Sequence, residues 1–159
     1  MRSALITFIV LFFSQLGIAL AESEPKVSMP DLEIAHVWAK PNYGPNGAAY
    51  FKLTNKGDKP RYLTGATSPL SKRVELHTHI EKDGVMKMRR VKKPIEIAPG
   101  KTVLFAPAGH HVMLFGMEQK LKEGDKLPLT LIFKDGTKHA VIAKVEKDAL
   151  KHDHHHSHH

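Results

Sequence analysis

Residues 77–88 read HTHIEKDGVMKM. Two histidines one residue apart lead into Asp83-Gly84, and two methionines one residue apart follow it. Asp-Gly between alternating segments is a hairpin signal, because a type I′ turn needs positive φ at both central positions. In a strand, residues i and i+2 share a face, so His77 pairs with His79 on one side and Met86 with Met88. Two registers fit. A two-residue turn at Asp83-Gly84 sets His79 opposite Met88, whereas a four-residue loop over 81–84 sets His77 opposite Met88 and His79 opposite Met86. In either register all four side chains lie on one face, with directly opposed Cβ atoms about 5 Å apart. A three-residue loop would put the histidines and methionines on opposite faces.

The same alternation recurs on both sides of this hairpin. Period-2 segments are expected at 32–39, 48–54, 62–66, 73–80, 85–91, 102–106, 111–115, 127–133 and 139–145. Turn residues separate them, at 41–47, 55–60, Asp83-Gly84, 98–100, Gly124-Asp125 and Asp135-Gly136. No segment carries a long apolar stripe of period 3.6. Many short strands joined by Gly, Pro and Asp turns indicate an all-β sandwich or barrel of Greek-key type. Internal repeats and an interdomain linker are both absent, so one domain is expected.

The ends read differently from this middle. MRSALITFIVLFFSQLGIALA, residues 1–21, has Arg2, an apolar run and Ala19-Leu20-Ala21 at its close. Small residues at −3 and −1 fit a signal peptidase, and the polar Glu22-Ser23-Glu24-Pro25 suits the start of a mature chain. A retained membrane anchor needs a similar apolar length, but Ser14 and Gln15 interrupt this one. Export to the periplasm, with cleavage before Glu22 and a folded domain over 22–147, is therefore expected. The last stretch, 148–159, holds His152, His154, His155, His156, His158 and His159, and has almost nothing to bury. It reads as a flexible tail. A purification tag is the alternative, but Asp153 and Ser157 break the run.

The chain has no cysteine and a net charge of +8. Without thiolate it has neither a Cys nucleophile nor the ligand of a blue-copper site. For an exported protein a basic surface steers towards acidic proteins or anionic lipid headgroups, and nucleic acid is not an expected partner.

A second group, AGHHVMLFGM, carries His110, His111, Met113 and Met117, with His111 and Met113 on one strand face. Imidazole and thioether together, without thiolate or carboxylate, make a soft donor set that suits Cu(I). Zinc prefers Cys, His and carboxylate. The bland alternative is that the methionines fill core gaps and the histidines are surface strand residues. Clustering of both residue types within 77–117 favours a site. His36 and His139 stand apart and are expected to be structural or on the surface. No Ser/His/Asp arrangement and no three-ligand zinc set with a carboxylate base can be placed, so an enzyme is not expected.

The pattern resembles that of the PCu(A)C family of periplasmic copper chaperones. His77 and Met88 have ten residues between them, as in that family, and His111-Val112-Met113 supplies its His-x-Met. Twenty-two residues separate Met88 from His111, one more than the usual family spacing. Flanking segments AAYFKLTN, VELHTH, GVMKMR, PIEIAPGKTV and LKEGDKLPLTLIFKDG are similar as well. The resemblance implies a cupredoxin-like β-sandwich binding one Cu(I) through His77, Met88, His111 and Met113. It also implies delivery to the copper-A subunit of cytochrome c oxidase or another periplasmic copper acceptor, with a thiol-containing copper chaperone as a further candidate partner. The expected oligomeric state is a monomer. Some members carry a C-terminal extension that binds Cu(II), and the tail histidines here are similar. The alternative function is copper or zinc buffering without a dedicated acceptor.

Overall fold

The computed structural model describes residues 28–29, 31–147 and 149. The expected leader, 1–21, and the tail histidines lie outside these residues. Eleven strands are described: β1 (Ser28–Met29), β2 (Leu32–Ala39), β3 (Asn46–Asn55), β4 (Arg61–Thr67), β5 (Ser71–Lys82), β6 (Val85–Arg90), β7 (Ile95–Ile97), β8 (Thr102–Phe105), β9 (His111–Met117), β10 (Lys126–Phe133) and β11 (Lys138–Val145). They hydrogen-bond in the order β6-β5-β9-β3-β2-β11-β10-β4-β7, with β1 added to β2 and β8 added to β3. All pairs are antiparallel except β11 with β2. The result is an all-β, cupredoxin-like Greek-key sandwich.

Alternation in the sequence becomes alternation in burial. β11 runs exposed-buried along all of its length, with His139, Val141, Ala143 and Val145 inside. Phe51 and Phe105 stack at 4.2 Å between ring centroids, at the centre of a cluster that includes Leu53, Leu63, Leu114, Leu129 and Leu131. Each such side chain contributes about 1.5–3 kcal/mol when fully buried. β3 serves two neighbours in turn: residues 46–49 pair with β9, and 51–54 with β8.

Strand positions follow the alternation, and strand limits depend on neighbours. β3 begins at Asn46, inside the stretch read as a turn, because Asn46 and Gly47 find Phe115 and Leu114 across the ladder. Gly47 makes room for Met117: a Cβ would lie 2.7 Å from its sulfur, so a larger residue would force that buried side chain to move. β7 and β1 are additional to the expected strands. Two asparagines fix loops. Buried Asn55 donates from Nδ2 to the carbonyls of Lys59 (2.7 Å) and Ile97 (2.9 Å), and its Oδ1 accepts from the Gly57 amide. Asn42 accepts from the Leu121 amide at 2.7 Å and donates to Gly44.

The site-bearing part is the β6-β5-β9-β3 edge. One face of it, with Leu76, Val112 and Leu114, belongs to the core. The opposite face carries Glu75, His77, His111 and Met113. β6 is the outermost strand, and none of its residues is buried.

Candidate metal centre

The hairpin turn sets the geometry of the whole centre. Asp83 has φ 57° and Gly84 φ 73°, the two positive values of a type I′ turn. Glycine adopts this conformation freely, and aspartate tolerates it better than most residues. The register is therefore the two-residue one: Lys82 faces Val85, His79 faces Met88 and His77 faces Arg90. The alternative 81–84 loop does not form. On its other side β5 pairs His77 with His111 and Glu75 with Met113, while β3 sets Ala48 beside Met113. Rows of side chains thus run across the strands. Met88 and His79 form one row, His77 and His111 the next, and Glu75 and Met113 the third.

His111 is 3% exposed. Burial, the largest cause, lowers its pKa below the ordinary value of 6.5 and keeps the ring neutral. The single proton lies on Nδ1, which donates to the Gly109 carbonyl at 2.9 Å. Nε2 consequently carries a lone pair, and it points at the Met88 sulfur 3.3 Å away. Neither atom can give the other a hydrogen, so two donors converge on one point. A gap of 3.3 Å is short enough for one ion to touch both atoms, since metal bonds to nitrogen and sulfur are each about 2 Å or a little longer. Met88 is 42% exposed, which leaves the sulfur side of the notch open to solvent.

His77 is buried, with its ring 6.0 Å from that of His111. Its Nε2–H donates to the Glu75 carboxylate at 2.9 Å. Nδ1, which then bears the lone pair, is buried without a partner. A histidine whose second nitrogen is held by a carboxylate is oriented and made a stronger ligand. The bond to His77 is the main cause holding the Glu75 pKa below its ordinary value, and the charges of Arg90 and Arg73 add to it. Their guanidinium nitrogens lie 3.4 and 3.5 Å from Oε1. Glu75 is thus a carboxylate partner of His77 that the sequence reading did not single out. Its place two residues before His77, on the same strand face, was the available signal.

Met113 shares the face and is half-buried, one row from His111. Among the described residues no three of His, Cys, Asp and Glu are placed to hold a metal, so an ion at this point depends on thioether sulfur. The donors present fit a soft cation. Tyr50 adjoins them, 6.3 Å from the His111 ring, and packs at a tilt of 31° on Trp38, 4.4 Å between centroids.

The remaining members of the two clusters divide. Met86 faces Glu81 near the hairpin tip and is exposed. Met117 is buried in the core beside Gly47. His110 packs on Phe105, with 5.8 Å between centroids, on the other side of β9 from His111. His139 is buried edge-on against Phe133, and His36 is exposed where β2 bulges between Ala35 and Trp38.

Comparison with known proteins gives the chain a family and its fold a set of relatives. The LpqE-like family, described as "Putative lipoprotein LpqE-like", matches residues 31–145. "Putative lipoprotein Lxx21020" of Leifsonia xyli subsp. xyli is 28% identical over 148 residues, covering 92% of this chain and 89% of its own. The solution structure of Cu(I)-bound DR1885 from Deinococcus radiodurans is 34% identical, with TM-score 0.56 and coverage of 82% and 84%. The apo PCuAC domain of PmoF1 has the same fold, with TM-score 0.64 at 20% identity, covering 76% of this chain and 98% of that one.

Proposed function

We propose, from the premise that the chain belongs to the LpqE-like family and is of the PCuAC type, that it carries Cu(I) in the periplasm and delivers it to respiratory oxidase copper centres. The observation that carries this reading is the approach of His111 Nε2, its other nitrogen tied to Gly109, to the sulfur of Met88 at 3.3 Å. Two softer features support it. His77 presents a buried, unpartnered Nδ1 beside that notch, and the 34% identical Deinococcus relative is described in its Cu(I) form. The proposed ligand set is His77, Met88, His111 and Met113.

Delivery follows from the donors. Thioether and neutral imidazole hold Cu(I) without charge, so an acceptor with thiolate ligands takes the ion by stepwise exchange, downhill at each step. Exposed Met88, on the edge strand, is the ligand an acceptor reaches first. Residues 1–21 act as the export signal in this reading, consistent with a family described as lipoproteins. The tail histidines bind Cu(II), whose borderline character suits imidazole. A carrier needs no catalytic group, and the chain is not read as an enzyme.

Transfer tests the proposal. The Cu(I)-loaded full chain is mixed with an excess of an apo copper-A domain, and copper is measured in each protein after separation. Copper is expected to move to the acceptor. Retention by the chain beside that excess would overturn delivery in favour of buffering.

A further inference from the structure

We propose that His79 is a further copper ligand, an imidazole that shares the Met88–His111 notch with His77 and can stand in for it. The inference rests on the reading of this face as a copper site. It comes from the register and from ring positions, which favour His79 at the notch itself. His79 is the residue directly opposite Met88, whereas His77 faces Arg90 on the same strand. The His79 ring is 5.2 Å from that of His111, nearer than the 6.0 Å of His77. The two histidines differ in their commitments. Both carry a buried Nδ1 with no partner, but the His77 ring is held from its other nitrogen by Glu75. A buried imidazole nitrogen without a hydrogen bond is costly unless something else occupies its lone pair.

Position along the strands gives the two imidazoles separate parts. His77 and His111 form the middle row, with Met113 on one side and the His79–Met88 row on the other. His79 and Met113 are about four residues of strand apart, or roughly 13 Å along the strands, whereas the Met88 sulfur reaches the middle row at His111 and is available to either end. One arrangement uses His77, His111 and Met113 with Met88. The second uses His79, Met88 and His111, on the half-exposed side that solvent and an acceptor reach. Both keep the thioether–imidazole pair, and neither needs three histidines at once. His79 thereby gives the ion a second nitrogen to hold as Met113 or His77 lets go.

A double-mutant cycle decides the matter. Cu(I) affinity is measured by competition with bicinchoninate in the full chain, with tail residues His152, His154, His155, His156, His158 and His159 replaced by alanine throughout. The variants are His77→Leu, His79→Leu and both together, each with its melting temperature; His79→Gln replaces His79→Leu if that variant fails to fold. Mutual substitution predicts modest losses in the single variants and a double variant weakened at least about tenfold beyond the product of the two. Additive losses, or a His79 variant that binds as tightly as the parent, would overturn it. Met88→Leu reports on the underlying reading: undiminished affinity in that variant removes the copper site itself, whatever the cycle gives.

Discussion

Replacing Gly84 by valine tests how local turn chemistry reaches the metal centre. Gly84 sits at φ 73°, and a Cβ built there meets nothing within 4 Å. The substitution therefore adds no clash at Cβ, and its main cost is the strain of an L-residue in the left-handed region, about 1–2 kcal/mol and at the upper end for a β-branched one. β6 is the part of the fold least able to absorb it. It is an edge strand with no buried residue, held by its ladder to β5 and by the Val91 amide on the Leu76 carbonyl at 2.8 Å. Strain at its turn shifts the apo protein towards a state with β6 undocked and Met88 away from His111. Copper must then draw the strand back. Since 1.4 kcal/mol is a factor of ten, the strain bounds the affinity loss at about 5- to 30-fold, and a several-fold loss is expected. Gly136→Val is the matched control, since Gly136 has φ 83° and equally open surroundings. It lies in the turn between β10 and β11, whose inward residues are core. That variant should lower the melting temperature and leave Cu(I) affinity unchanged. Gly84→Val should do the reverse, with faster hydrogen exchange along β6. Equal Cu(I) affinity in Gly84→Val and the parent, with undiminished protection of β6, would refute the reasoning.

Glu75→Ala should weaken Cu(I) binding by about 10- to 100-fold through loss of the His77 support, with Glu75→Gln, whose amide oxygen still accepts from Nε2–H, recovering most of it in the same competition assay. Asn55→Ala leaves the Ile97 carbonyl and the Gly57 amide without their partner and should cost about 2–4 kcal/mol, read as a fall of roughly 10 °C in thermal denaturation. The apo fold should lose stability as pH falls. Burial lowers the pKa of His110, His111 and His139 below 6.5, so below that pH the unfolded chain binds protons that the folded chain does not. A second loss begins below the ordinary carboxylate values of 4.5 for Glu75 and 3.8 for Asp135, both lowered in the fold. Urea midpoints that stay level between pH 7 and pH 5 would contradict the first stage.

Much of this was legible in the chain because period-2 alternation and turn residues speak for themselves. Asp83-Gly84 announced the hairpin, and 32–39 was marked to its limits. The register was legible only as a pair of choices. What decided it was the φ of both turn residues, a property of Asp-Gly that sequence makes probable and geometry makes definite. β7 escaped because three residues cannot display a period; Ile95 and Ile97 are held by pairing with Leu63 and Arg61. Within the site, the shared face of His77, His79, Met86 and Met88 was foreseeable from spacing, and the joining of His111 to them only from the family resemblance. The Glu75 bond and the nearness of His79 to His111 were not. Both depend on side-chain direction across β5 and β9, which alternation constrains only to a face.

The most direct test is X-ray absorption at the copper edge of the Cu(I)-loaded chain, comparing the parent with Met88→Leu and Met113→Leu. Two thioether sulfurs and imidazole nitrogen around the ion are predicted for the parent, with sulfur scattering reduced in each variant. A spectrum of nitrogen and oxygen donors alone, unchanged by either substitution, would return both methionines to packing and contradict the account.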